Sequence, residues 1–306
     1  MNDSERTRVK KNIALFLGLL TLICIPVNYM IVHTHDIGAG MGPVSYALLI
    51  MWCPALAALI TCRARRIPLD DLGWRWRPFK YQALAYVVPI AYFTIGYGAV
   101  WLTGNGRFYN REFVAQVAKS FGWSLPNGAI IVLYVLIMGT FGMIRAMGFA
   151  LGEEIGWRGL LTPQFSKLGF SYTATSLWVG LIWTLYHFPA LLFSNFNPDG
   201  PTWYSLISFS VGCFSICFII TWLRLKSGNL WTAVVLHASN NMFIAQIFTR
   251  LTVDTGKTNR YFADPDFVVT VVMVLVAFLF WRKRHEVEPQ LRPAPATAMS
   301  GAMETG

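Results

Sequence analysis

Residues 127–159 read NGAIIVLYVLIMGTFGMIRAMGFALGEEIGWRG, a long apolar run that closes on two adjacent carboxylates and an arginine, Glu153, Glu154 and Arg158. At about 1.5 Å per residue the run is longer than a helix needs to cross a hydrocarbon core of about 30 Å. Ionisable groups at membrane depth are costly unless they pair or face a wet cavity, so the Gly152–Gly159 stretch marks a functional site as well as a span. The plain alternative is that Glu153, Glu154 and Arg158 snorkel at the helix end and only anchor it.

The rest of the chain has the same character. Its 306 residues are 55% hydrophobic and only 13% charged, with a mean hydropathy of +0.48, far more apolar than a soluble domain of this size. The net charge of +10 lies in short clusters between apolar runs rather than along one face, which is a topology signal and not a nucleic-acid footprint. Eight spans follow: Asn12 to Val32, Pro43 to Thr61, Tyr81 to Leu102, Asn127 through the Glu153 stretch, Tyr172 to Phe193, Tyr204 to Leu223, Leu230 to Phe248 and Phe267 to Trp281. Leu69 to Lys80 mixes Trp74, Trp76 and Phe79 with Arg75, Arg77 and Lys80 and reads as a segment in the headgroup region. Thr103 to Pro126 reads as an outer loop, and the Pro/Ala-rich residues 285–306 as a disordered cytoplasmic tail.

With both termini cytoplasmic, 18 of the 25 Lys and Arg fall inside and Arg107, Arg111, Lys119, Arg250, Lys257 and Arg260 outside. The expected fold is therefore an all-α polytopic membrane helical bundle of about eight transmembrane helices, one multi-pass domain over residues 1–284. The five cysteines lie in or beside apolar segments and read as packing residues, Cys213 and Cys217 sharing a helix face without further ligands nearby. His33 and His35 read as a solvated turn.

On a helix Glu154 and Arg158 are i and i+4 neighbours and can pair, whereas Glu153 points about 100° away and is freer to face a cavity. Two other spans each carry a histidine: His187, with Trp183 on its face, and His237, with Asn241 on its face and Asn240 directed elsewhere. Counted from the cytoplasmic ends, His237 lies roughly 10 Å deep and His187 roughly 20 Å. A carboxylate in such a pocket can take a proton from water while imidazole and amide donors stabilise an oxyanion, so no serine or cysteine nucleophile is required. Zinc held by Glu153, His187 and His237 is the open alternative, although no HExxH is present.

The ordered set Glu153-Glu154-x-x-x-Arg158, Trp183-x-x-x-His187 and His237-x-x-x-Asn241 resembles the three motifs of the CAAX protease and bacteriocin-processing family, also called Abi, over a core of roughly residues 125–248. The resemblance implies an intramembrane endopeptidase of glutamate-dependent or metallo type at the cell membrane, with its site opening to the cytoplasm. Glu153 would activate water, His187 position it, and His237 with Asn241 form the oxyanion site; Glu154, Arg158 and Trp183 would support them. Trp183 departs from the family's Phe. The implied partners are the lipid bilayer and a membrane-associated or lipidated CAAX-like peptide, or a bacteriocin-like one; a role in bacteriocin immunity and a metalloprotease mechanism are further implications. The competing reading is a non-catalytic scaffold or transporter with a polar pocket, which an inverted repeat would favour; none is seen. Arg145, eight residues before Glu153, needs a partner or water and is a candidate for a substrate carboxylate.

Overall fold

The computed structural model describes residues 1–37, 46–196, 201–256 and 265–288. Along the chain run α1 (Asp3–Thr34), α2 (Tyr46–Arg65), α3 (Phe79–Leu102), the strand β1 (Gly106–Phe108), the short amphipathic helix α4 (Arg111–Phe121), and the long helix α5 (Asn127–Lys167). They are followed by α6 (Tyr172–Phe193), α7 (Thr202–Ser227) and α8 (Trp231–Met242), which continues through a π-helical segment Phe243–Phe248 and a last turn Thr249–Leu251; β2 (Thr252–Asp254) and α9 (Pro265–Arg282) complete the order. Helices α1, α2, α3, α5, α6 and α7 are each long and apolar enough to span a bilayer. The chain is a multi-pass membrane protein of all-α architecture.

Several boundaries differ from expectation for identifiable reasons. The seventh expected span is the helix α8, but its His237, Ser239, Asn240, Asn241 and Gln246 dilute the apolar content, and it falls outside the six; the eighth is the shorter apolar helix Phe267–Arg282. Thr103 to Pro126 is more than a loop: it contains α4, capped by the Asn110 side chain, and β1, which pairs antiparallel with β2. The helical reading of α1 begins nine residues early because Asn2 and Glu5 form a capping box ahead of the apolar run. Residues 284–286 form a 3₁₀ turn, Val287 is buried, and Lys226 donates to Glu286 at 2.9 Å, which holds that carboxyl below its usual range. The Pro43 start of the second span and the tail from 289 onward lie outside the described residues.

The largest difference concerns α5. Its apolar run was expected to end at the carboxylates, yet the helix continues through them for another 14 residues, about 20 Å, to Lys167. Two π-helical segments, Met138–Gly142 and Ile155–Leu161, interrupt it. Such wider turns change the direction of side chains and recur at functional sites. At the Lys167 end Arg65 Nε donates to Asn12 Oδ1 at 2.9 Å, and Asn12 Nδ2 to Gln164 Oε1 at 3.1 Å, tying α1, α2 and the end of α5 together.

The bundle turns apolar side chains such as Leu22, Ile25, Val87, Ile95, Phe141 and Ile144 outward, as a lipid-facing surface requires. Between helices, close contact depends on small residues. Gly152 and Gly156, one turn apart on α5, lie directly on α2: a Cβ at Gly152 would sit 2.5 Å from the Met51 carbonyl oxygen and 2.9 Å from Trp52 Cα, and one at Gly156 would sit 2.6 Å from Pro54 Cβ. This small-xxx-small seam brackets Glu153 and Glu154 and fixes their height against α2.

Gly152→Ala is expected to destabilise the protein by about 1–3 kcal/mol, the cost of forcing a methyl into a packed seam. Gly148→Ala, where an added Cβ meets nothing within 4 Å, should be neutral or slightly stabilising. Thermal unfolding of both variants in the same detergent checks the contrast.

Candidate active site

Glu153 and Glu154 are almost completely buried, at 1% and 0% exposure, and diverge as helical geometry requires. Glu154 turns toward α7 and α8. Its Oε1 accepts from Arg158 Nη1 at 3.0 Å and from His237 Nδ1 at 2.8 Å, and its Oε2 lies 3.2 Å from the same Arg158 nitrogen. Arg158 is itself wholly buried; its Nη2 donates to Cys217 Sγ at 2.9 Å, and its guanidinium lies 4.5 Å from the centre of the Trp183 ring. Cys217, read as a packing residue, thus contacts the site's cation.

Glu153 faces a cavity of about 840 Å³. Its Oε2 accepts indole N–H groups from Trp157, at 3.0 Å, and from Trp183. Its Oε1 lies 3.9 Å from His187 Nε2, too far for a direct hydrogen bond and close enough for one water to touch both. His187 Nδ1 lies 2.8 Å from the Trp183 carbonyl oxygen; a carbonyl only accepts, so Nδ1 carries the proton and Nε2 of the neutral ring offers its lone pair. His237 Nδ1 is held by the Glu154 carboxylate instead, which leaves its Nε2 for the cavity that the residue lines. Trp183 links all of these: N–H to Glu153, ring face to Arg158, ring edge to His237 at 5.1 Å between centroids, and carbonyl to His187.

The expected site residues Glu153, Trp183, His187, His237 and Asn241 all line this one cavity, while Glu154 and Arg158 lie behind it. Asn240, expected to point elsewhere, lines it too. Its Nδ2 donates to Asn241 Oδ1 at 2.9 Å and its Oδ1 accepts from the Tyr92 hydroxyl. Adjacent positions are only 100° apart, and a wide cavity collects both. The amide order Tyr92, Asn240, Asn241 leaves the Asn241 NH₂ to face the cavity as a donor. Arg145 does not line it; the side chain is exposed and lies against Phe149, 5.4 Å from the ring centre, so a role on a substrate carboxylate has no geometric basis. His33 stacks on Tyr29 and His35 Nδ1 pairs with the Phe193 carbonyl, so neither joins a site.

Among the described residues no group of three His, Cys, Asp or Glu is placed to hold one metal ion. The expected set Glu153, His187 and His237 is not among such groups.

Residues 129–243 match the family model described as type II CAAX prenyl endopeptidase Rce1-like. The family resemblance read from the three motifs stands. A CAAX prenyl protease 2 from Methanococcus maripaludis is 28% identical over 136 residues, which cover 42% of this chain and 45% of that protein. The chain thus spans less than half the length of that curated relative, and the family-model match at residues 129–243 carries all three motifs.

Arg224 was counted only as a topology charge. It is buried at 8% exposure, and its Nε donates to the Arg158 carbonyl oxygen at 2.9 Å, while Thr162 Oγ1 donates to the Trp157 carbonyl at 2.9 Å. Both side chains add donors to carbonyls of the π segment Ile155–Leu161. Nothing in sequence spacing links residue 224 to residue 158; Trp157, by contrast, was legible, at i+4 from Glu153. Arg224→Met should lower stability by about 1–3 kcal/mol by orphaning a buried carbonyl. Lys226→Met, which removes an outer pair with Glu286, should change it by at most about 1 kcal/mol. Denaturant or thermal unfolding in one detergent compares the two.

Proposed function

We propose that the protein is an intramembrane endopeptidase that hydrolyses a peptide bond of a membrane-associated or lipidated peptide with a glutamate-activated water. The reading is carried by one observation: two adjacent buried carboxylates take opposite tasks, Glu153 facing a cavity beside the free Nε2 of His187, and Glu154 fixed behind it by Arg158 and His237.

The water sits between Glu153 Oε1 and His187 Nε2. Glu153 takes one proton as the oxygen attacks the scissile carbonyl carbon, and His187 accepts a hydrogen bond from the other. The two indole N–H groups hold Glu153 on its second oxygen, which leaves Oε1 aimed at the water. The carbonyl oxygen becomes an oxyanion as its C=O π bond opens. His237 in the imidazolium form donates to it from Nε2, and the Glu154 carboxylate on Nδ1 supports that charge; Asn241 Nδ2 is the second donor. The tetrahedral intermediate then collapses, the C–N bond breaks, and Glu153 returns its proton to the leaving amine.

The match to type II CAAX prenyl endopeptidases favours this activity and a prenylated or otherwise lipid-anchored peptide among its substrate classes. A bacteriocin-like peptide meets the same description of an apolar, membrane-bound chain. The scaffold or transporter reading has no specific feature in its favour.

On purified protein, Glu153→Gln should lower kcat by about 10²–10⁴-fold with little change in KM, since it removes the base and retains the shape. Asn241→Ala should cost about 10²–10³-fold as the loss of an oxyanion donor. Undiminished cleavage by Glu153→Gln would overturn the assignment. Cleavage abolished by a chelator and restored by zinc would replace the metal-free route with a metal-assisted one.

A further inference from the structure

Asn241 stands near the end of α8 on the cavity wall, and its side chain is exposed. The two ends of a carboxamide, NH₂ and carbonyl oxygen, have nearly the same shape, so exposure alone does not decide which of them faces the cavity. The difference matters chemically. One end stabilises a developing oxyanion and the other repels it. What selects between them lies outside α8.

Tyr92 of α3 is at 0% exposure and is not part of the cavity wall. Its ring packs against Phe93 at 4.6 Å between centroids, and Phe93 packs in turn on Phe248, so the position of the hydroxyl is fixed. Among the described residues that hydroxyl has one hydrogen-bond partner, Asn240 Oδ1, and Asn240 Nδ2 passes the chain on to Asn241 Oδ1 at 2.9 Å. The neighbouring Ser239 Oγ donates to the Tyr86 carbonyl oxygen at 2.8 Å. Two consecutive residues of α8 are therefore bonded to α3, which sets the height of Asn240 against Tyr92.

A chain of one hydroxyl and two amides can run in either direction. In the direction found, the Tyr92 proton goes to the Asn240 carbonyl, an Asn240 N–H goes to the Asn241 carbonyl, and the Asn241 NH₂ is left for the cavity. Reversed, Asn241 would donate to Asn240 and Asn240 to the Tyr92 oxygen, and the Asn241 carbonyl would face the cavity. The reversed chain strands the Tyr92 proton without an acceptor in a fully buried place, an arrangement that folded proteins avoid. A hydroxyl two side chains away thus sets the sign of the dipole offered to the substrate.

Resting on the hydrolase reading above, we propose that Tyr92 is a positioning residue for the reaction: through Asn240 it directs the Asn241 amide so that an N–H meets the oxyanion. Tyr92 lies outside the segment 129–243 that matches the family model and outside the three motifs. A donor aimed at developing charge contributes more in the transition state than in the ground state, so its misdirection lowers kcat and leaves KM.

Kinetics on purified protein, with a peptide that the wild type cleaves, test this. Tyr92→Phe, which removes the hydroxyl and keeps the ring, should lower kcat about tenfold at unchanged KM, and Asn240→Ala, which cuts the chain in its middle, should do likewise. Neither should cost more than about twofold further once Asn241→Ala is in place, because the amide they direct is gone; a residue that only supports the fold loses the same factor in both backgrounds. Tyr172→Phe, which removes a hydroxyl bond to the Phe218 carbonyl oxygen at 2.6 Å away from the cavity, should leave kcat at the wild-type value. Wild-type kcat in Tyr92→Phe overturns the proposal, as does a tenfold loss that persists in the Asn241→Ala background. Should Tyr92→Phe fail to fold, the same two outcomes for Asn240→Ala decide it. Wild-type cleavage with a failed cycle sinks the positioning role alone, whereas a wild type that cleaves no peptide sinks the hydrolase reading beneath it.

Discussion

A carboxylate at membrane depth needs polar partners, and the core of this protein is arranged around that constraint. Glu154 meets it with two partners, the Arg158 guanidinium one turn along the same helix and the His237 imidazole from another. Arg158 is in turn distributed over a carboxylate, a thiol and the face of Trp183. Four helices are thereby held by a single charge cluster, and the groups left facing the cavity are one oxygen of Glu153 and one nitrogen each of His187 and His237. The reactive groups are those left over after burial has been satisfied.

Backbone irregularity makes this arrangement possible. The π segment at residues 155–161 widens the turn, and its carbonyls take additional side-chain donors, Thr162 from the same helix and Arg224 from α7. Arg224 thus links the end of α7 to the turn that carries Arg158. The polar chain of Tyr92, Asn240 and Asn241 plays the matching role in α8, orienting an amide that is otherwise exposed. In both places a helix face selected by sequence is refined by a hydrogen bond from a distant part of the chain.

That division explains what the sequence could disclose. Period and hydropathy located the helices well, with Tyr172–Phe193 matching to the residue, because apolar runs between polar punctuation are a one-dimensional signal. The separation of Glu153 from Glu154 was also one-dimensional, a consequence of 100° per residue. Depth was not. The charged stretch was taken as a helix end because charge usually lies there, and only the packing of Gly152 and Gly156 on Met51, Trp52 and Pro54 shows it to be internal. Arg224, counted only as a topology charge, and Asn240, read as directed elsewhere, were placed wrongly for a related reason: their partners Arg158 and Tyr92 lie 66 and 148 residues away in sequence, and neither a charge count nor a helical wheel registers a partner across the bundle.

The glycine seam between α2 and α5 has a mechanical implication. At the level of the carboxylates these two helices meet backbone to side chain with no room for even a methyl group, so they form a closed wall there and cannot serve as a lateral doorway without parting along the whole contact. An aliphatic tail or peptide sliding in from the surrounding lipid would be turned aside at that height. Access must follow the helices that are held apart, and the shape of the protein acts as a sieve for direction before any residue tests the substrate.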